Sequence, residues 1–304
     1  MWWRDQPLGL AGSGGQLLAA VLLRKLMPGV QRVVDNGLSE LLGALDPEII
    51  STDSDLDIIF GCAGLIGPLL RIGTTEAIDL ARMAGNRLVE RQDDDGGWIV
   101  PTLGKKALTG FSHGASGEAA ALAKLAVATN YCPYYDAAGR ALQYERAQYD
   151  THEKNWPDYR ISLPITEPQF MLSWCHGAPG IALARLCLKS TPLWDSNTAE
   201  DLELALTATT ETARGEDSLC CGRFGRAAIL RAAHERVGEG RWLKAATHLE
   251  TQAMAQIAID GSYGFGDVLG LFQGAAGIGL ELLDGLPQVT SAFVPQVLSA
   301  GLID

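Results

Sequence analysis

The sequence predicts an all-α protein, an α/α toroid of repeated helical hairpins arranged as an inner and an outer ring. Three observations carry this. The phrase Gly-x-x-Gly recurs six times, at Gly12–Gly15, Gly61–Gly64, Gly114–Gly117, Gly177–Gly180, Gly222–Gly225 and Gly274–Gly277. Each phrase opens a mostly apolar run of helical length, and charged amphipathic runs lie between them. Successive first glycines stand 49, 53, 63, 45 and 52 residues apart, a period that marks a repeat protein.

The elements follow in order from this pattern. Runs such as Glu118–Thr129 and Ile181–Leu188, which come directly after a phrase, are apolar nearly all round and therefore have to be buried. Runs such as Ala199–Ala213 and Gly240–Ile259, which precede the next phrase, bury a single stripe and keep a charged face for water. Pairing one of each and repeating the pair around a ring satisfies both demands. The glycines start the inner helices and let neighbouring backbones approach where the ring narrows. Punctuation such as Asp95-Gly96-Gly97-Trp98 and Asn155-Trp156-Pro157-Asp158 falls between helices, and strand signals are scarce. A chain of 304 residues with 47% hydrophobic residues exceeds the usual single-core size, and a repeat architecture accommodates it as one domain spanning 1–304.

Composition excludes several partners. A formal net charge of −12 argues against nucleic acid, because neutralising phosphates requires clustered Lys and Arg. The apolar stretch Leu8–Leu23 is broken by glycines, a serine and Gln16, and Arg4 sits beside Asp5, so neither a signal peptide nor a transmembrane span is read there. Six cysteines, two of them vicinal, in a long chain without a signal fit a reducing compartment, and the cytoplasm is the expected location.

In such a ring all the phrases lie at one end, so residues beside them meet although they are far apart in sequence. Those residues are Asp57, Cys62, His113, Cys175, His176, Cys220, Cys221 and Gln273. Cys175 and the Cys220–Cys221 pair occupy equivalent positions in two repeats and supply three thiolates, the number of protein ligands a catalytic zinc site uses. The competing reading is three buried apolar cysteines in a crowded core, and the repeat equivalence together with the vicinal pair favours zinc. His113 reads as an acid or base facing the cavity, or as a histidine hydrogen-bonded between helices. Asp57 either orients that imidazole or caps a helix. His176 is a weaker metal ligand because Cys175 beside it already faces the cavity. Cys62, Cys132 and Cys187 are expected to be packing residues.

The segments Gly110-Phe-Ser-His-Gly-Ala-Ser-Gly117, Ser173-Trp-Cys-His-Gly-Ala-Pro-Gly180, Ser218-Leu-Cys-Cys-Gly222 and Leu271-Phe-Gln-Gly-Ala-Ala-Gly-Ile-Gly279 resemble the successive signatures of the lanthionine synthetase C-like family. Asn155-Trp-Pro-Asp158 resembles a segment of the cyclase half of the bifunctional class II lanthipeptide synthetases, and the likeness runs from about Gly9 to Leu283. The resemblance implies a zinc enzyme that closes lanthionine and methyllanthionine rings by adding cysteine thiols to dehydroalanine or dehydrobutyrine in a precursor peptide. It implies Cys175, Cys220 and Cys221 as zinc ligands, the last replacing a histidine common in the family, with His113 as the catalytic histidine and Asp57 supporting it. A dehydratase domain or protein is the expected partner. Relatives usually show seven hairpins and this chain shows six phrases, so the first hairpin is expected to be missing and the domain N-terminally incomplete. Two rival functions are a non-catalytic zinc relative that binds glutathione or a partner protein and an α/α-toroid glycosidase. The glycosidase would need a second cavity carboxylate beside Asp57.

Overall fold

A computed structural model describes residues 6–160, 169–211, 217–261, 268–286 and 293–303. Its helices are, in order, α1 (Ser13–Leu26), α2 (Gln31–Gly43), α3 (Pro47–Ser51), α4 (Ala63–Ile72), α5 (Thr75–Arg91), α6 (Ala115–Thr129), α7 (Cys132–Ala147), α8 (Ala178–Leu188), α9 (Ser196–Thr209), α10 (Arg223–Val237), α11 (Gly240–Asp260), α12 (Ala275–Asp284) and α13 (Val294–Leu298). Among the described residues there are no strands, and extended pairing is limited to two isolated bridges, Asp150 with Asn155 and Asp158 with Gln169. The fold is the predicted α/α toroid. The inner helices α1, α4, α6, α8, α10 and α12 pack in that order, each on the next. Helices α2, α5, α7, α9 and α11 each pack on the inner helix that precedes them and form the outer ring.

Burial follows the sequence pattern. Every residue of α8 is buried, as are the first twelve residues of α6, whereas α5 and α11 bury one stripe each. Two of the outer helices, α5 and α9, carry side-chain caps: Thr74 accepts a hydrogen bond from the Ala77 amide (3.2 Å) and Asp195 one from the Thr198 amide (2.7 Å). Helix α9 ends at Thr209, short of the Ala213 expected from its composition, and Ala213 lies outside the described residues.

The recurring phrase has a single steric cause. In five of the six phrases a side chain on the second glycine (Gly64, Gly117, Gly180, Gly225 or Gly277) would run far inside van der Waals contact of the carbonyl oxygen six residues earlier. The chain folds back on itself at that point before entering each inner helix, and only a residue without Cβ allows the approach.

These entry loops are also bonded to one another. The Leu10 amide donates to Ile58 (2.9 Å), Ile58 to Ser112 (3.1 Å) and Ser112 to Cys175 (3.3 Å); Trp174 donates to Cys220 (2.9 Å), and Cys220 to Phe272 (2.8 Å). The six loops thus form one hydrogen-bonded ladder across the end of the ring. The C-terminal segment packs inside: Val294, Leu298, Ala300, Leu302 and Ile303 are buried, Trp174 Nε1 donates to the Leu298 carbonyl (2.9 Å), and Arg71 of α4 donates to Gly301 (2.6 Å) and Ile303. An apolar cavity of about 380 Å³ lies between α1 and the loop that enters α12, lined by Leu18, Leu22, Leu271, Phe272 and Val297 among others.

A buried ionic network braces the loop that carries His113. Arg185 of α8 pairs with Glu145 of α7 (3.0 Å) and Asp201 of α9 (3.1 Å), and Arg146 reaches the same Asp201 (2.9 Å). Glu145 accepts further hydrogen bonds from the Gly110 amide (2.9 Å) and the Ser116 hydroxyl. Such a network is costly to desolvate and holds only because each charge is answered.

Candidate active site and metal centre

Asp57 sits at a constrained turn. Leu56 before it has φ +63°, a conformation rare for a bulky side chain, and Asp53 braces the turn by accepting hydrogen bonds from the amides of Leu56 (3.0 Å) and Cys62 (2.8 Å). Asp57 is 1% exposed. Its Oδ1 accepts from the amides of Phe60 (2.6 Å) and Gly61 (3.2 Å), while Oδ2 lies 2.6 Å from His113 Nδ1. Of the two readings of Asp57, the contact with the imidazole is the one present; Oδ1 closes the turn ahead of α4 and caps no helix, since the N-cap of α4 is Cys62.

His113 is held on three sides. Asp57 fixes Nδ1, and the ring is stacked between Phe60 (5.6 Å between centroids, 28°) and His176 (5.8 Å, 23°). The side chain remains 14% exposed. Among the described residues no hydrogen bond engages Nε2, which leaves that nitrogen as the one able to exchange a proton with a bound molecule.

Cys175, Cys220 and Cys221 come together as expected, with their Sγ atoms all within 4.8 Å of one another; among the described residues no other set of three potential ligands does so. The Cys175 and Cys221 sulfurs are 3.8 Å apart. With zinc–sulfur distances of about 2.3 Å, the edge of a tetrahedron is about 3.8 Å, so this thiol set fits a zinc ion. Hydrogen bonds from Cys220 and Cys221 push the Cys175 thiol well below its ordinary range, and hydrogen bonding within the same cluster pushes Cys220 up. The Ser173 hydroxyl lies 3.3 Å from the Cys175 sulfur, and the Ser218 hydroxyl accepts from the Cys221 amide (3.1 Å).

His176 does not join the thiol cluster. It is completely buried, neither ring nitrogen has a hydrogen-bond partner, and burial holds it below the ordinary imidazole range. Its Nδ1 is 3.8 Å from Asp158 Oδ1. Asp158 belongs to the Asn155–Asp158 segment, every residue of which braces the site. Asn155 accepts from the Ala178 amide at the start of α8 (2.8 Å), Trp156 Nε1 donates to the Glu145 carbonyl (3.0 Å), and the Pro157 carbonyl accepts from the Thr109 hydroxyl (2.6 Å). Asp158 also grips Arg160 through paired contacts, Nη2 to Oδ2 at 2.7 Å and Nε to both oxygens. Its carboxyl is subject to burial, which raises it, and to the Arg160 hydrogen bond and other charges, which together hold it below the usual range. In the sequence this segment reads as punctuation between helices and as a stretch resembling the class II cyclases, and neither reading points to Asp158 and Arg160 as neighbours of the site.

The remaining expected residues divide. Cys62 and Cys187 are buried packing residues, as expected. Cys132 is exposed at the first turn of α7, which corrects its reading as a packing residue: its helix begins there and turns that face to solvent. Gln273 is exposed at the entry to α12.

A ring of inner and outer helices whose loop ladder gathers an Asp–His pair and three thiols defines the class of this protein. The sequence profile of the family described as Lanthionine synthetase C-like protein matches residues 8–299, and the chain belongs to that family. Among solved structures it is similar to a nisin cyclase, with a TM-score of 0.67 and 18% identity over 98% of this chain and 81% of that one. No curated protein matches it in sequence. No helix among the described residues is long and apolar enough to cross a membrane.

Proposed function

We propose that the chain is a zinc-dependent cyclase that closes thioether rings in a dehydrated precursor peptide. It joins a cysteine thiol to dehydroalanine or dehydrobutyrine, giving lanthionine or methyllanthionine. The observation that carries this reading is the convergence of the Asp57–His113 pair and the three-thiol cluster on consecutive loops of one ladder, and family membership supports it.

Zinc held by Cys175, Cys220 and Cys221 supplies a Lewis acid that lowers the pKa of a coordinating thiol. The chain's own residues do the rest. The reaction adds S–H across a carbon–carbon double bond: a C–S bond forms at Cβ, the π electrons shift toward Cα and the adjoining carbonyl, and a proton arrives at Cα. Asp57 holds His113 by Nδ1, so Nε2 is the atom that carries that proton. The Phe60 and His176 rings stop the imidazole from turning away. Residues 1–304 act as one cyclase domain on a peptide prepared by a dehydratase domain or protein, in the reducing cytoplasm that keeps the thiols free.

The glycosidase reading needs two accessible carboxylates. Asp57 is committed to His113, and Glu118, on which the field of Asp57 acts, is buried and so inaccessible to a substrate. Elemental analysis of the purified protein should give about one zinc per chain, since such sites hold metal tightly. Incubation with a peptide that carries one dehydroalanine and one cysteine, followed by thiol alkylation and mass spectrometry, should show loss of the alkylatable thiol. A zinc-loaded, folded protein that leaves the thiol free would favour the non-catalytic alternative.

A further inference from the structure

The site as built has an acid–base pair and a metal centre, and the reaction also develops negative charge on the carbonyl oxygen beside Cα. Such a charge calls for a hydrogen-bond donor already in position, because preorganised donors supply the largest single contribution in comparable reactions. Neither His113 nor Asp57 is free to serve: one carries the proton and the other is an acceptor.

Arg160 has the required properties. Its bidentate pairing with Asp158 fixes the plane of the guanidinium. Asp158 is in turn 3.8 Å from His176, and His176 stacks on His113, so the arginine is linked to the catalytic imidazole through two side chains. Nη2 also touches the Met171 sulfur (3.6 Å), four residues before Cys175. Among the described residues Nη1 makes no hydrogen bond, and the side chain is 37% exposed, so it is accessible to a bound peptide. Burial opposes its charge, but the hydrogen bond with Asp158 and the fields of Asp158, Cys175 and Cys221 outweigh it and hold the guanidinium above its ordinary range.

We propose that Arg160 is a catalytic residue that donates a hydrogen bond to the carbonyl oxygen of the dehydroamino acid and stabilises the enolate formed when the thiolate sulfur bonds to Cβ. In the balanced step the sulfur lone pair makes the C–S bond, the π pair moves through Cα to the oxygen facing Arg160, and it returns to Cα when the proton from His113 arrives. Arg160 keeps all its protons throughout. Asp158 is a positioning residue that aims the guanidinium and closes the space beside His176.

This assignment rests on the cyclase reading, and its test separates the two. Arg160→Gln and Arg160→Lys are compared with the parent in zinc content, melting temperature, and kcat and KM on a peptide carrying one dehydroalanine and one cysteine. Loss of one oxyanion donor lowers kcat by about 10²–10³-fold, so Arg160→Gln should show that loss with zinc content and KM little changed. Arg160→Lys should fall between the two, because it keeps the charge but loses the planar fork. A second readout involves no turnover. Cobalt-loaded protein is titrated with N-acetylcysteine methylamide, and thiolate binding is followed by the cobalt–sulfur absorption band. Equal binding by parent and Arg160→Gln supports a role confined to the acceptor carbonyl. Arg160→Gln with parental kcat would overturn the proposal, and so would a loss of kcat matched by a loss of thiol binding, which would make Arg160 a support of the metal centre. If the parent itself closes no ring, the proposed function falls, and the assignment with it.

Discussion

Asp57→Asn tests the proposed acid–base pair most directly, because the structure dictates how the new amide has to lie. Asp57 Oδ1 accepts from two backbone amides, Phe60 and Gly61, and turning the NH2 of asparagine toward them would set donor against donor in a buried turn. The amide oxygen therefore keeps that place and the NH2 faces His113 Nδ1, now at the position 2.6 Å away that Oδ2 held. Nδ1 has to become an acceptor, so the neutral imidazole carries its proton on Nε2, the nitrogen that faces the reaction. The histidine remains in place but loses the tautomer that lets it accept a proton there. General acid–base contributions run to about 10²–10⁴-fold, equivalent to about 3–5 kcal/mol of barrier. The variant should bind zinc as the parent does and close rings slower by that factor, followed by thiol alkylation and mass spectrometry over time. Because the two residues act as a unit, adding Asp57→Asn to His113→Asn should cost little more than His113→Asn alone. Full additivity, or ring closure by Asp57→Asn within a factor of about three of the parent, would refute the tautomer argument.

The other predictions concern metal, core and pH. Cys220→Ala with Cys221→Ala should abolish tight zinc binding, read by elemental analysis and competition with a chromophoric chelator; full zinc in the folded double variant would remove the thiol cluster as the metal centre. Arg185→Met leaves Glu145 and Asp201 buried without their shared cation and should destabilise the fold by about 3–5 kcal/mol in denaturant melts; a loss below about 1 kcal/mol, the worth of an exposed pair, would show that the network is effectively solvated. Glu118 is buried with neither carboxylate oxygen hydrogen-bonded, and burial, followed by the field of Asp57, raises its carboxyl well above the ordinary range. Its folded pKa exceeds the unfolded value of about 4.3, so above that pH the unfolded chain sheds a proton that the folded chain keeps. Stability then declines with rising pH by up to about 1.4 kcal/mol per unit until the folded pKa is reached. Glu118→Gln titrates in neither state and should gain stability over the parent progressively above about pH 4.3, with a constant difference below it; parallel stability curves across that range would show that Glu118 is ionised in the folded protein.

Much of this is legible in the sequence because the same steric demand is repeated in five of the six phrases. A second glycine that has to meet the carbonyl six residues earlier leaves a mark in the second to sixth repeats, and Cys175, Cys220, Cys221, His113 and Asp57 all stand beside such marks. The same rule gave no access to Asp158 and Arg160, whose segment has no period and whose importance depends on which side chains the ring brings opposite them. Arg185 was hidden for a related reason: one cation in an otherwise apolar helix reads as an irregularity until its two carboxylates, 40 and 16 residues distant, are seen. The C-terminal segment gave no warning that it would pack inside the ring, since short apolar stretches do not say which surface they cover. The sequence does not separate helix cap from imidazole partner for Asp57, because an aspartate ahead of a helix suits either; in the fold it stands one turn too early to cap α4 and its Oδ2 meets His113.

The loop ladder explains how so dispersed a set of residues makes a site at all. Asp57 stands on the second entry loop, His113 on the third, Cys175 and His176 on the fourth, and Cys220 and Cys221 on the fifth, each bonded through its backbone to the next. Every side chain of the candidate site thus stands on a loop one hydrogen-bonded step from the next, although 164 residues separate Asp57 from Cys221 in sequence. Each step is fixed by an approach that only glycine permits, and each loop is followed by a buried inner helix that cannot shift without opening the core. Precision at the site therefore comes from the repeat itself, and the irregular segment from Asn155 to Arg160 adds what a repeat cannot: a cation held by Asp158, whose carboxylate lies 3.8 Å from His176 on the ladder.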